Sequence, residues 1–391
     1  MKKKILPVLM TVSMVATILA GCGSAAAGTE SVAPAPAQAE TQEASQPAEE
    51  APAAAEETAP APEGDLHFEI VSKGFQHQYW QAVLLGANKK AEELGVSINF
   101  VGPNSESDIA DQVQMLNNAI NAAPAAIGLA ALDTNACLDG IQAAMDAGIP
   151  IIGFDSGVPD APEGAVLANC STNNYAAGAG AAENMYPAIK DRIMNATAPV
   201  RIGVLSQDAT GESVINRGLG FIDKMGEMLK ADGKTINVEG NDKFVNDCKV
   251  DKVPDADVVV EVLVPAQVTS ELSSIDCQTL LNKEDTIAIY GSNQHSGEAM
   301  VTANENLKKF GTGDDKIVGV AFDSGAVIKG AVADGTFIGA ITQAPVAMGE
   351  ATVQALYDAA NGNPVSDVDT GFQWYTAENM TNEDIAPNLY D

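Results

Sequence analysis

The stretch IPIIGFDSG, residues 149–157, contains the pattern on which the rest of the chain is built. An apolar run is followed directly by Asp155. Nearly the same letters return at residues 317–325, as IVGVAFDSG, with Asp323 in the matching place. A continuous apolar run is typical of a strand buried on both faces, as in a parallel sheet covered by helices. The repeat therefore predicts two similar units, each with a carboxylate at the end of a buried strand.

Strand-like and helical patterns alternate on both sides of this stretch, along residues 66–391. Many helical patterns begin at a polar capping residue such as Asn173, and several end at a glycine such as Gly95. Strands that alternate with helices of this length predict βαβ units and mostly parallel sheets. The series restarts near residues 170–175, which indicates two lobes. The expected fold class is α/β, with two similar doubly wound parallel-sheet lobes and a ligand cleft between them.

The N-terminus has the pattern of an export signal. Residues 1–21 contain three lysines and a short apolar stretch, which is typical of a secretory signal peptide. The letters LAGC, which end at Cys22, resemble the lipobox of bacterial lipoproteins. That resemblance implies cleavage before Cys22 and a lipid on its sulfur; the alternative is an ordinary signal peptide and a chance cysteine. Residues 22–64 are rich in Ala, Pro and Glu and lack Lys, Arg and aromatic residues, so we expect a disordered tether rather than a helical stalk.

Composition excludes several classes of function. The net charge of -32 and the pI of about 4.2 argue against binding nucleic acid, and against binding anionic membranes by charge. The chain has no CxxC motif, no metal-ligand spacing, no phosphate-binding loop and no nucleophile elbow. GAGAAE, residues 178–183, falls short of a dinucleotide fingerprint and lies inside a helical pattern, which indicates close helix packing. We therefore expect no catalytic residue, no metal and no cofactor.

Two features of the second half leave alternatives open. Cys248 and Cys277 fall in the same half of an exported chain and could pair, although separate thiols are the alternative. The polar segment 241–256 interrupts the rhythm of strands and helices. We interpret it as a surface insertion.

Polar and aromatic side chains follow the predicted strands at their carboxyl ends, where ligands bind in open parallel sheets. The candidates at these positions are His77, Tyr79, Trp80, Asp155, Ser156, Asn293, Phe322, Asp323 and Gln343. Carboxylates and amides bind hydroxyl groups, and aromatic faces stack on the apolar C–H faces of a sugar ring. The set therefore favours a neutral polyol as ligand. The alternatives are that each aspartate only caps the following helix and that Tyr79 and Trp80 pack in the core.

Residues 66–391 resemble the type I periplasmic sugar-binding proteins, the group of the ribose-binding protein. The motifs that carry the resemblance are QYWQAVLLGANKKAEELG (78–95), IPIIGFDSG (149–157), NRGLGF (216–221), IYGSNQ (289–294), IVGVAFDSG (317–325) and GAITQAPVAMG (339–349). The resemblance implies two lobes joined by a three-strand hinge that close on one sugar. Lobe one would contain residues 65–171 with 344–370, and lobe two residues 172–343 with 371–391.

The resemblance also implies roles for individual residues. It places the ring-sandwiching pair on Tyr79 and Trp80, the first polar contact on His77, the lobe-one aspartate on Asp155, an asparagine on Asn293, a Phe-Asp pair on Phe322 and Asp323, and the hinge glutamine on Gln343. Ser156 stands where ribose binders have an arginine, and a strict count puts Ile215 at the second arginine's place. Arg217, two residues on, is the candidate to replace it, or else a surface helix residue. No aromatic stands near Val268. Without these arginines the site would hydrogen-bond a different arrangement of ligand hydroxyl groups, so ribose itself is disfavoured as the ligand.

These observations predict an extracytoplasmic solute-binding lipoprotein. It would be a monomer that captures a monosaccharide or similar small polyol and delivers it to an ABC transporter permease, without being an enzyme. We expect it on the outer face of a Gram-positive cell membrane, since such cells have no periplasm to retain a free binder. Alternatives are a receptor for a nucleoside or sugar-derived signalling molecule and an exported sugar-modifying enzyme. A transcription regulator is disfavoured by the lipobox and by the lack of a basic helix-turn-helix.

Overall fold

The computed structural model describes residues 66–391. The predicted signal peptide, the lipidation site Cys22 and the predicted tether lie outside the described residues. Within residues 66–391, no helix combines the length and the apolar character that crossing a membrane requires.

Strands and helices alternate along the described chain, as the sequence pattern predicts. The helices are α1 (Gln78–Leu94), α2 (Ile109–Asn121), α3 (Leu138–Asp146), α4 (Asn174–Asn195), α5 (Glu212–Ala231), α6 (Asp242–Asp247), α7 (Ser270–Leu281), α8 (Gln294–Leu307), α9 (Ala326–Ala333) and α10 (Pro345–Ala360). The strands are β1 (His67–Val71), β2 (Ser97–Val101), β3 (Ala126–Leu129), β4 (Ile151–Phe154), β5 (Val166–Ser171), β6 (Val200–Leu205), β7 (Ile236–Gly240), β8 (Val258–Leu263), β9 (Thr286–Gly291), β10 (Val318–Phe322), β11 (Gly339–Gln343), β12 (Val368–Asp369) and β13 (Phe372–Tyr375).

The strands form two sheets, one in each lobe. The first has the order β12-β5-β4-β3-β1-β2 and is parallel throughout. The second has the order β13-β11-β10-β9-β6-β8-β7, in which only β13 runs antiparallel to its neighbour. The central strands β3, β4, β9, β10 and β11 are buried along their whole length, because helices cover both faces of each sheet. The predicted fold class is confirmed.

The chain crosses between the sheets three times, from β5 to α4, from β11 to α10 and from β12 to β13. Two of the crossings are hydrogen-bonded to each other. The carboxylate of Asp369 accepts from the backbone N–H of Asn173 at 3.1 Å, and the N–H of Thr370 donates to the carbonyl of Ser171 at 3.0 Å. The lobes are therefore joined by a narrow hinge of three segments.

Each lobe contains a pair of helices that cross in backbone contact at glycine. In lobe one, a Cβ atom on Gly86 of α1 would lie 1.9 Å from the carbonyl oxygen of Val346 in α10. In lobe two, a Cβ atom on Gly178 of α4 would lie 2.0 Å from the carbonyl oxygen of Arg217 in α5. The interpretation of GAGAAE as close helix packing is confirmed, and neither crossing has room for a side chain.

Segment 241–256 is only partly a surface insertion, which corrects the expectation from sequence. Its first residues form α6, and Phe244 is fully buried in the lobe-two core. The Phe244 ring covers Gly218 of α5, where a Cβ atom would lie 2.4 Å from the ring. The sequence did not indicate this packing role, because Phe244 is the only aromatic residue in a largely polar segment.

The four cysteines of the described residues are buried and free. Cys248 and Cys277 belong to different core clusters of lobe two, one around β7 and β8 and the other around α7 and α8. They do not pair, and the alternative of separate thiols holds.

The glycine crossings generate a stability prediction. We expect Gly86→Ala to lower the free energy of unfolding by about 1–3 kcal/mol, because α1 and α10 must move apart. The matched control is Gly330→Ala, since Gly330 is an exposed position of α9 with open space around it. There alanine should raise stability by about 0.5–1 kcal/mol through helix propensity. Urea unfolding of the two variants checks both signs, and equal effects would contradict the packing argument.

Candidate functional site

A cavity with an empty volume of about 370 Å³ lies between the lobes, at the carboxyl ends of both sheets. Its lining side chains come from the loops and helix starts that follow the strands. They are Lys73, His77, Tyr79, Trp80, Glu106, Asp155, Gln207, Val214, Arg217, Asn293, Gln294, His295, Asp323 and Gln343. Three carboxylates and two cations therefore share this small volume with amides and aromatic rings.

The two aspartates of the repeated motif have the same unusual backbone conformation. Asp155 has φ 57° and Asp323 has φ 72°, both in the left-handed region that favours glycine. Such a conformation costs on the order of 1 kcal/mol for a residue with a Cβ atom. Both side chains are nearly fully buried and line the cavity. Strain that recurs at both strand ends indicates that the position of each carboxylate matters.

Asp155 is held by two residues of its own lobe. The hydroxyl of Tyr79 donates to Oδ1 at 2.8 Å, and Nζ of Lys73 lies 2.8 Å from Oδ2. Nζ of Lys73 also donates to the hydroxyl of Ser213, across the cleft in lobe two, at 3.1 Å. Burial alone would lower the pKa of Lys73, but attraction to Asp155 and Glu106 outweighs it and raises that pKa. Lys73 is therefore a buried cation that touches both lobes.

Asp323 has a matching set of partners in lobe two. Nε2 of Gln343 donates to Oδ1 at 2.6 Å, and the backbone N–H of Gln294 donates to Oδ2 at 3.1 Å. Nη1 of Arg217 lies 3.5 Å from Oδ2, and the guanidinium sits 4.0 Å from the centroid of the Phe322 ring. Burial raises the pKa of Asp323, an effect that Arg217 opposes. Each lobe thus contributes one buried ion pair of an aspartate with a lysine or an arginine to the cavity.

A chain of hydrogen bonds connects the aromatic wall of lobe one to lobe two. Nε1 of Trp80 donates to Glu106 at 2.7 Å, and Nε2 of Gln207 donates to the other oxygen of Glu106 at 3.1 Å. Nδ2 of Asn293 then donates to Oε1 of Gln207 at 2.7 Å. Burial would raise the pKa of Glu106, but nearby Lys73 and these hydrogen bonds lower it. Glu106 is therefore an ionised acceptor that bridges the lobes.

Most of the residues singled out in the sequence meet in this cavity. Those that line it are His77, Tyr79, Trp80, Asp155, Arg217, Asn293, Asp323 and Gln343. Arg217 is 3% exposed, so the alternative of a surface helix residue is wrong. Tyr79 and Trp80 pack in the lobe-one core, as the alternative for this pair predicts, and they also line the cavity. The role of each residue in binding a ligand stays a prediction.

Two of the sequence candidates do not line the cavity. The hydroxyl of Ser156 accepts from the backbone N–H of Ser213 at 3.3 Å, which makes it an interlobe contact beside the site. Phe322 is fully buried and supports the guanidinium of Arg217 from beneath. Phe322 thus acts on a cavity residue from outside the cavity, whereas Ser156 joins the two lobes beside it.

Several lining residues are absent from the set of candidates, namely Lys73, Glu106 and Gln207, together with Gln294 and His295, which directly follow the candidate Asn293. Each stands in a loop or helix start that follows β1, β2, β6 or β9. The rule that singled out the other candidates, a polar residue just past a strand, also applies to these, except to Glu106, which lies further along the loop after β2. Within residues 66–391, no group of three His, Cys, Asp or Glu side chains is placed to hold a metal ion.

Comparison with known proteins identifies the family. Residues 68–364 match the family model described as periplasmic binding protein domain. The chain belongs to the periplasmic binding protein family. The resemblance noted in the sequence is thereby confirmed. No curated protein matches this periplasmic binding protein.

Solved structures share its fold over most of its length. An ABC transporter, LacI family transcriptional regulator from Brachyspira murdochii is 33% identical, with a TM-score of 0.71 over 84% of this chain and 99% of that chain. An ABC transporter solute binding protein from Agrobacterium vitis with bound D-fucose is 26% identical, with a TM-score of 0.68 over 83% and 100%. A second Agrobacterium vitis solute binding protein, bound with alpha-D-tagatopyranose, is 21% identical, with a TM-score of 0.69 over 84% and 100%, and shows likeness of fold.

The buried pair of Lys73 and Asp155 generates a stability prediction. Lys73→Met leaves the Asp155 carboxylate without a counter-charge, and we expect a loss of about 3 kcal/mol in the free energy of unfolding. Adding Asp155→Asn removes the charge and should recover most of that loss. The control is Lys89→Met, which breaks an exposed ion pair with Glu350 and should cost less than about 1 kcal/mol. Urea unfolding measures all three, and equal losses for the two single variants would contradict the argument.

His295 generates a pH prediction. Burial lowers the pKa of His295 below its ordinary value of 6.5, so the unfolded chain binds more protons as the pH falls. Its contribution to stability is therefore complete above pH 6.5 and is lost as the pH falls through the folded-state pKa. We expect His295→Asn to lose less stability than the natural protein between about pH 7.5 and about pH 5.5. Urea unfolding across that range tests it, and a constant difference between the two proteins would refute it.

Proposed function

We propose that this periplasmic binding protein captures a monosaccharide or similar small polyol between its lobes and delivers it to an ABC transporter permease. The observation that carries the proposal is the pair of strained, buried aspartates, one from each lobe, that face a single cavity with amides and aromatic rings. The Oε1 atom of Gln343 is buried there without a hydrogen-bond partner, which makes it an acceptor for a ligand hydroxyl. The relative with bound D-fucose supports the same class of ligand.

Binding would require the lobes to close around the ligand but would require no chemical reaction. Lys73, Glu106 and their partners already connect the lobes through hydrogen bonds, so a ligand that completes this network favours the closed state. We propose that no bond of the ligand is made or broken. Incubation with bound sugar followed by chromatography tests this point, because any product would indicate a sugar-modifying enzyme instead.

Titration calorimetry against D-fucose, D-tagatose, D-arabinose, D-glucose, D-galactose and adenosine tests the proposal. We expect at least one sugar to bind, and Asp155→Ala or Asp323→Ala to weaken it by about 10- to 100-fold, the effect of removing a hydrogen bond to a charged group. The control is Asp160→Ala, an exposed aspartate of the same lobe, which should leave affinity unchanged. Binding of adenosine alone would favour a nucleoside receptor, and sugar binding that survives both substitutions would refute the proposed site.

We also propose how the protein is attached and divided. Residues 1–21 would be removed, Cys22 would carry the lipid, and residues 22–64 would hold a monomer off the outer face of a Gram-positive membrane. Residues 65–171 with 344–370 would form lobe one, and residues 172–343 with 371–391 lobe two. In cells fed labelled palmitate, Cys22→Ala should abolish labelling and release the protein to the medium. A labelled Cys22→Ala variant would contradict the anchor.

A further inference from the structure

A second and larger groove lies directly outside the cavity. It has an empty volume of about 790 Å³ and is open to solvent. Loops after β1 and β2 form its lobe-one side, and the loop between β8 and α7 forms its lobe-two side. The groove and the cavity share His77, Glu106, Gln207 and His295, so they adjoin at these four side chains. A ligand that occupied both spaces would pass between these four side chains.

The groove has the mixed lining that a sugar ring requires. Phe75 is 40% exposed there, in a chain of which only 5% is aromatic. The amides of Gln76 and Asn104 stand beside it, joined to each other by a bond of 3.4 Å, and Val268 lies on the opposite wall. An exposed aromatic face offers stacking to the C–H face of a sugar, and amides beside it offer donors and acceptors to hydroxyl groups.

The side chains at the boundary suit a glycosidic link. Glu106 and Gln207 meet there at 3.1 Å, from opposite lobes, and His77 and His295 flank them. All four present hydrogen-bonding atoms, which can turn from one another to the hydroxyls and the bridging oxygen of a saccharide.

We propose that this groove is a second sugar subsite, which takes the outer ring of a disaccharide or longer saccharide whose inner ring occupies the cavity. The inference rests on the proposed function and deepens it, since it changes the substrate class from a single sugar to a short saccharide. Phe75 is the stacking residue of this outer subsite, and Gln76 with Asn104 reads its hydroxyls.

Titration calorimetry with matched pairs of sugars tests the inference on the full protein. The probes are D-glucose with maltose and cellobiose, D-galactose with lactose and melibiose, and D-xylose with xylobiose. We expect one disaccharide to bind at least as tightly as its monosaccharide. Phe75→Ala should weaken that disaccharide by about 10-fold, the effect of losing one aromatic contact, while monosaccharide affinity changes by less than about twofold.

Two further variants separate stacking from general damage. Phe75→Tyr keeps the ring and should restore disaccharide affinity. Leu85→Ala removes another exposed apolar side chain, 63% exposed on α1 and outside the groove, and should leave both affinities unchanged. Melting temperatures of all variants verify that each is folded.

The outcomes are distinct for the two proposals. If monosaccharides bind and no disaccharide does, the outer subsite is refuted and the proposed function stands. If a disaccharide binds and Phe75→Ala affects it no more than Leu85→Ala does, the subsite is likewise refuted. If no sugar of either size binds, both proposals fall.

Discussion

A carboxylate withdrawn from water needs a counter-charge and hydrogen-bond donors, and this requirement organises the centre of the molecule. Asp155 and Asp323 are each placed at a strand end on strained backbone, and each is matched by one cation, Lys73 or Arg217. The ammonium group of Lys73 also donates a hydrogen bond to the hydroxyl of Ser213 in the other lobe. Each of these two aspartates is therefore paired with a cation of its own lobe, and Lys73 also links the lobes, which ties the electrostatics of the site to closure.

The rest of the architecture keeps these groups in place. Helices that cross in backbone contact at Gly86 and Gly178 leave little freedom inside either lobe. The connection between lobes is by contrast only three chain segments, two of which are hydrogen-bonded to each other. Stiff lobes on a narrow hinge move as bodies, so a ligand that contacts both sets of strand ends acts on a single opening motion.

The chain has a net charge of -32 and few arginines, yet each arginine has a specific acceptor set in the structure. Arg201 binds Glu261 and Asp285 across neighbouring strands of lobe two, and Arg192 donates to the backbone carbonyl of Lys316. Arg217 alone among them lines the cavity. Lys73 and Arg217 are the two cations that lie beside the buried aspartates of the cavity.

The fold class and the location of the cleft were determined by local sequence patterns. Apolar runs followed by Asp155 and Asp323 were enough to predict two parallel-sheet lobes and a polar cleft, because the carboxyl ends of parallel strands meet at one edge. The partners of these groups were not predictable. That Lys73 pairs with Asp155, that Trp80 bonds Glu106, and that Phe244 fills the core above Gly218 depend on residues brought together from distant loops. The periodicity of a sequence indicates which face of a helix or strand a residue occupies. Which two side chains touch is determined only when helices and loops pack together. The tertiary structure alone therefore decided these contacts.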